Sequence, residues 1–118
     1  MRTLIATALL AAAIVPATAQ AQTAGTYRAQ GSCPGQPKPY VGLVTISGNG
    51  PVYRWSERIG SGQAFEGVLV VQGDTLSVGF TGEFRGVLQA TRTRNGWEGV
   101  WAGAAPNAAM CREVWVRD

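Results

Sequence analysis

The chain has 118 residues, with ten lysines and arginines against seven acids and no histidine. That length holds one domain. The small positive balance lacks the clustered basic run of a nucleic-acid binder. The missing histidine removes the usual proton shuttle and a common metal ligand.

The first segment reads MRTLIATALLAAAIVPATAQAQ. Arg2 precedes an apolar run from Leu4 to Val15. Pro16 breaks the run, and Ala17, Ala19 and Ala21 give small-x-small cleavage patterns. This predicts a secretory signal peptide over residues 1–21, whose twelve-residue apolar run is too short for a spanning helix. Residues 22–118 are expected to form a single exported domain, periplasmic or secreted, without membrane insertion. Losing Arg2 leaves nine cations against seven acids, a net charge of about +2.

Past the signal, glycine and proline interrupt nearly every window, and short β-rich runs alternate with turn residues. Eight strands are predicted in chain order. The first is Thr26 to Gln30, followed by a loop, GSCPGQPKP, that carries Cys33. The second is Tyr40 to Ser47, closed by a Gly48-Asn49-Gly50 turn in which Asn-Gly is expected to take positive φ. The third is Val52 to Ile59 and the fourth Ala64 to Val71. The fifth is Thr75 to Thr81 and the sixth Phe84 to about Thr93. Asn95-Gly96 turns the chain into the seventh, Trp97 to Ala102. The eighth is Cys111 to Arg117. Gly96 and Gly99 disfavour a helix for NGWEGVWAG, so Trp97 and Trp101 share one strand face.

Short connections make neighbours antiparallel. The expected fold is an all-β, eight-stranded antiparallel up-and-down meander barrel, which removes exposed edges. A two-sheet β-sandwich is the alternative. In an exported domain of this size, Cys33 and Cys111 predict a disulfide. It would tie the end of the first strand to the start of the last. With no CxxC and no histidine, no metal and no cofactor are expected.

Alternation turns Tyr53, Trp55 and Ile59 inward, and it puts Glu57 on the same face. Leu76, Val78 and Phe80 point in, as do Phe84 and Leu88 with Gly86, and Trp97 with Trp101. The second strand is ambiguous. The eighth offers either Cys111 and Trp115 or Val114 and Val116. Glu57 is either a rim acid, wet or paired with an arginine, or a buried pocket acid with a raised pKa. Glu66 falls on the opposite face from Glu57, which argues against a glycosidase pair. No serine lies in a nucleophile motif, and no catalysis is expected.

Y-V-G-L-V-T-I, V-Y-R-W-S-E-R-I-G, G-Q-A-F-E-G, L-S-V-G-F and G-W-E-G-V-W, between Tyr40 and Trp101, resemble a group of small exported bacterial proteins often labelled fibronectin-binding. The sequence departs from that pattern at Arg54 and in its cysteine pair. A looser similarity is to avidin, an eight-stranded barrel with tryptophans in its pocket. The polar set that grips avidin's ligand has no residue-by-residue match here. The resemblance implies a compact all-β binding protein.

The expected function is a non-catalytic binding module that meets a protein through its outer face and loops. The alternatives are a small-ligand carrier with an aromatic barrel pocket, or a periplasmic hydrolase inhibitor. The candidate ligand residues are Tyr53, Trp55, Glu57, Trp97 and Trp101. Inward glycines either bend the strands or leave room beside these rings. A carrier needs a void of about 300 Å³, the lower end of ligand pockets.

Overall fold

The computed structural model describes residues 23–118. The predicted signal peptide lies outside the described residues. Eight strands follow in order: β1 (Gly25–Ser32), β2 (Tyr40–Ser47), β3 (Val52–Ile59), β4 (Gln63–Gln72), β5 (Thr75–Thr81), β6 (Gly86–Arg92), β7 (Gly96–Gly103) and β8 (Cys111–Arg117). Each pairs antiparallel with the next, and β8 returns to β1 to close the barrel. The seam runs from Tyr27↔Arg117 to Ser32↔Arg112. One step beyond it, Cys33 and Cys111 form a disulfide. Closure excludes the sandwich.

The sixth strand corrects the sequence reading. It starts at Gly86, where the β5 ladder ends opposite Phe80. A Cβ at Gly86 would sit 2.5 Å from both the Phe80 ring and the Ala102 carbonyl oxygen. The residues before Gly86 turn the corner, so Phe84 is a loop residue with 39% exposure. The turn after β2 differs in detail as well. Positive φ falls on Gly48 (118°) and Gly50 (72°), not on Asn49. Glycine takes that conformation without a Cβ clash.

The interior follows the predicted alternation. Tyr53, Trp55, Phe65, Leu69, Leu76, Val78, Phe80, Leu88 and Trp97 are buried. The two undecided strands are settled by side-chain size and by the disulfide. On β2 the small Gly42 lies inward with Val44 and Ile46, and Val41 and Leu43 face out. On β8 the disulfide face wins: Cys111, Glu113 and Trp115 are buried, and Val114 and Val116 are exposed. Outward positions carry Arg28, Arg54, Arg58, Glu66, Glu98 and Arg112. The same outer face exposes Val41, Val52, Val68 and Val87 between these charges. No helix among the described residues is long and apolar enough to cross a membrane.

Inward glycines mostly mark close strand approach. A Cβ at Gly67 would overlap the Gly79 carbonyl oxygen, and one at Gly99 the Gln89 carbonyl oxygen. Gly79 instead points outward into open space. The space beside Gly99 is therefore backbone, not a ligand cavity.

The two ends of the barrel differ. At the end holding the hairpins Gly48–Pro51 and Gly73–Asp74, Arg117 donates to the Tyr27 hydroxyl at 2.8 Å and to the Ala24 carbonyl at 3.2 Å. Tyr27 in turn donates to the Thr23 carbonyl at 2.7 Å. The Arg92 guanidinium covers the Trp97 ring at 4.4 Å. These side chains plug the core at this end, beneath a surface hollow of about 700 Å³ lined by Arg92, Arg94, Trp97 and Arg117. The disulfide end is open.

Candidate functional site

At the open end the side chains form a cup of about 200 Å³. Trp55 and Leu88 reach it from the barrel interior, and Phe65, Phe80, Phe84 and Trp101 supply aromatic wall. Tyr40, Glu57 and Glu113 form the polar side, with Cys33, Gln36, Ile59 and Gln63 completing the lining. The aromatic wall is continuous. Phe84 stacks on Trp101 at 5.9 Å between centroids, and Phe80 meets Trp101 edge-on at 6.1 Å. Below them Trp55 stacks on Trp115 at 6.3 Å.

The polar side is one connected network. The Trp101 indole N–H donates to the Tyr40 hydroxyl at 2.7 Å, and that hydroxyl donates to Glu113 Oε1 at 2.5 Å. The Trp115 indole N–H donates to Glu113 Oε2 at 2.5 Å. Glu57 hydrogen-bonds the same carboxylate. The network thus joins side chains of β2, β3, β7 and β8, with Glu113 at its centre and Trp101 tied in through Tyr40.

Two glycines make the convergence possible. Gly31 pairs with Tyr40 on one side and with Glu113 on the other. A Cβ there would overlap the Tyr40 ring, so its absence lets the phenol cross β1 and reach Glu113. A Cβ at Gly42 would stand 2.9 Å from Glu57 Oε2. These are the inward glycines that make room, and the room serves protein side chains.

Glu57 lies inside with 4% exposure, so the wet-rim reading is wrong. Burial, then the neighbouring Glu113 charge and hydrogen bond, push its carboxyl up to about 10. It is therefore protonated at neutral pH and serves as the donor to Glu113. Burial and Glu113 likewise raise the Tyr40 phenol, which stays protonated and donating. The unfolded chain releases the Glu57 proton near pH 4.5, and the folded protein near 10. Between those values the folded state holds one more proton, so stability falls as pH rises. Its slope from this group is on the order of 1 kcal/mol per pH unit at its steepest. Glu57→Gln is expected to flatten that decline and to raise the melting temperature at pH 8. Melting curves from pH 5 to 9 check this, and a parallel shift of both proteins would refute it.

Two buried polar atoms of the cup residues have no partner among the described residues, Glu57 Oε2 and Trp55 Nε1. One is an acceptor and the other a donor. Native interiors leave few such groups unpaired, and each calls for an explanation.

The sequence-derived candidates separate into two groups. Trp55, Glu57 and Trp101 come together in the cup. Tyr53 and Trp97 lie toward the plugged end. A Cβ at Gly50, in the first hairpin, would come within 2.6 Å of the Tyr53 phenol carbon, and Trp97 sits beneath Arg92. Sequence reasoning missed Tyr40, Glu113 and Phe84. Glu113 was findable: it alternates with Cys111 and Trp115, and a disulfide cysteine facing the cup fixes that face. Glu57 and Glu113 have no third carboxylate, histidine or thiol beside them for a metal centre. Among the described residues, no group of three or more His, Cys, Asp or Glu stands together.

Comparison with protein-family models, with curated proteins and with solved structures finds no match to this chain.

Proposed function

We propose that the chain is an exported, non-catalytic binding module. Its contact end is the open mouth, where the loops between strands surround the aromatic cup and a partner protein inserts one small group. The carrying observation is the asymmetry of the ends: Arg117, Tyr27 and Arg92 cover the core at one, and at the other an aromatic cup rimmed by the exposed Phe84 opens beside the buried Glu57 and Glu113. A pocket that seats an anchor side chain, ringed by loops, is how binding energy concentrates in protein interfaces. At about 200 Å³ the cup is below the size that encloses a metabolite. That favours a group presented by a larger partner over a carried ligand. The disulfide fits an oxidising compartment, periplasmic or extracellular. Non-catalytic use fits the acids: Glu113 is committed to two donors and Glu57 bonds to it, leaving no gap for a sugar between them.

The outer face keeps a second reading alive through exposed Val68, Val87 and Met110. Capture from envelope extract and from serum separates the two. Phe84→Ala removes a half-exposed cup ring outside every strand, and Val87→Glu charges the outer face. Phe84→Ala is expected to weaken capture by about tenfold, as for a buried aromatic anchor, with Val87→Glu unchanged. The opposite pattern would replace the mouth with the outer face.

A further inference from the structure

The buried charge in this barrel is one-sided. Three ion pairs are formed among the described residues, Arg28–Asp118, Arg92–Asp74 and Arg112–Glu98, and all lie away from the cup. Glu57 and Glu113, both at least 96% buried, meet only neutral donors and each other. With Glu57 protonated, the pair carries one charge, on Glu113, and a buried charge is normally paired with a cation. Among the described residues no lysine or arginine lines the cup beside the pair. The cup is the remaining approach.

The cup also suits a cation by its walls. Trp101, Phe84, Phe80 and Tyr40 present ring systems around the same space, and such faces attract an ammonium. Glu57 Oε2 is unpartnered in that lining and offers an acceptor on the acid side. The volume of about 200 Å³ holds a group of about six or seven non-hydrogen atoms, taking ~30 Å³ for each water-sized unit. An alkylammonium is compact, carries three donors and has an apolar stem. Its stem fits the rings and its head fits the acids. Trp55 Nε1 takes no part, since a donor cannot bond an ammonium.

We propose that the cup binds an alkylammonium group, with Glu57 Oε2 as its acceptor, the Glu113 charge beside it and Trp101 and Phe84 packed on its stem. The group arrives either on a free amine or on a lysine side chain of a partner. This deepens the reading of the mouth as the contact end and rests on it.

The test is a titration of the intact oxidised protein, read by the indole N–H resonance of Trp101 and by tryptophan fluorescence. The probes are n-butylammonium, 1-butanol and butyrate, which share a stem and differ in charge. Butylammonium is expected to saturate and to shift the Trp101 resonance while leaving Trp97 in place. Butanol should bind at least about tenfold more weakly, and butyrate weaker still. Glu113→Gln, which removes the charge, and Glu57→Leu, which removes the acceptor, should each lower butylammonium affinity by about tenfold, with unchanged far-ultraviolet dichroism. N-acetyl-lysine amide supplies the second source. If it matches butylammonium, a lysine of a partner fits, and if only butylammonium binds, the ligand is a free amine. Equal binding of butanol, or tighter binding of butyrate, overturns the ammonium assignment and leaves the mouth as a binding site. No Trp101 shift with any probe at millimolar concentrations also overturns it. Loss of partner capture in Phe84→Ala then decides separately whether the mouth is the contact end.

Discussion

Replacing both cysteines, Cys33→Ala with Cys111→Ala, is expected to lower stability by about 4 kcal/mol. The bond closes a loop of 78 residues, and the chain-entropy model gives about that value for such a loop. For a domain near 100 residues, a change of this size lowers the melting temperature by roughly 20 °C. The position adds a local effect. The disulfide sits one step past Ser32↔Arg112, at the open end of the β1–β8 seam. The plugged end keeps Arg117 bonded across the same seam to Ala24 and Tyr27. Fraying should therefore begin at the mouth. Amide exchange is expected to quicken first at Gly31, Arg112 and Glu113, and reductant should reproduce the double variant. A melting temperature lowered by under about 5 °C would show that the ladder alone closes the barrel.

Glu113→Ala is expected to cost about 3 kcal/mol. Truncation leaves the Tyr40 hydroxyl, the Trp115 indole N–H and the Glu57 hydroxyl without their acceptor. An orphaned buried donor costs about 1–3 kcal/mol, and removing the shared partner of several is at the upper end. The neighbouring carboxyl has the opposite sign: Glu57→Gln removes a group held protonated against its ordinary range, and stability at alkaline pH rises. Two adjacent acids thus make opposed contributions, because one accepts all the bonds and the other is forced to supply a proton. Chemical denaturation of the two variants and of the double variant tests this. Non-additive losses are expected, as the residues share one network. A Glu113→Ala protein as stable as the parent would mean that the charge costs as much as its hydrogen bonds return.

The strand count, the meander order, the disulfide and most of the inward residues were legible in the sequence. Their causes are local. Alternation of period two fixes a face, glycine and asparagine fix turns, and short connections force antiparallel neighbours. NGWEGVWAG, for example, needs only Asn95-Gly96 and Gly99 to be read as a strand with both indoles on one side. What that reading leaves open is how deep each side chain sits along the barrel. Trp97 and Trp101 share a face yet lie at opposite ends, one under Arg92 and one in the cup. Tyr53 and Trp55 part in the same way.

The acid network was decided by register between distant strands. Gly31 stands between Tyr40 and Glu113, residues 73 positions apart in the chain. Only closure of β8 on β1 sets that glycine where the phenol must cross. Local pattern fixes which side of a strand is apolar, because backbone geometry repeats within a strand. It cannot fix which strands meet at one height, because that follows from the stagger of the whole closed sheet. The sequence by itself therefore determined eight antiparallel meander strands and the inner face of most of them; closure and the inner faces of β2 and β8 came from the tertiary structure. The tertiary structure decided that one end closes, that the other opens on a cup, and that Glu57 and Glu113 share it.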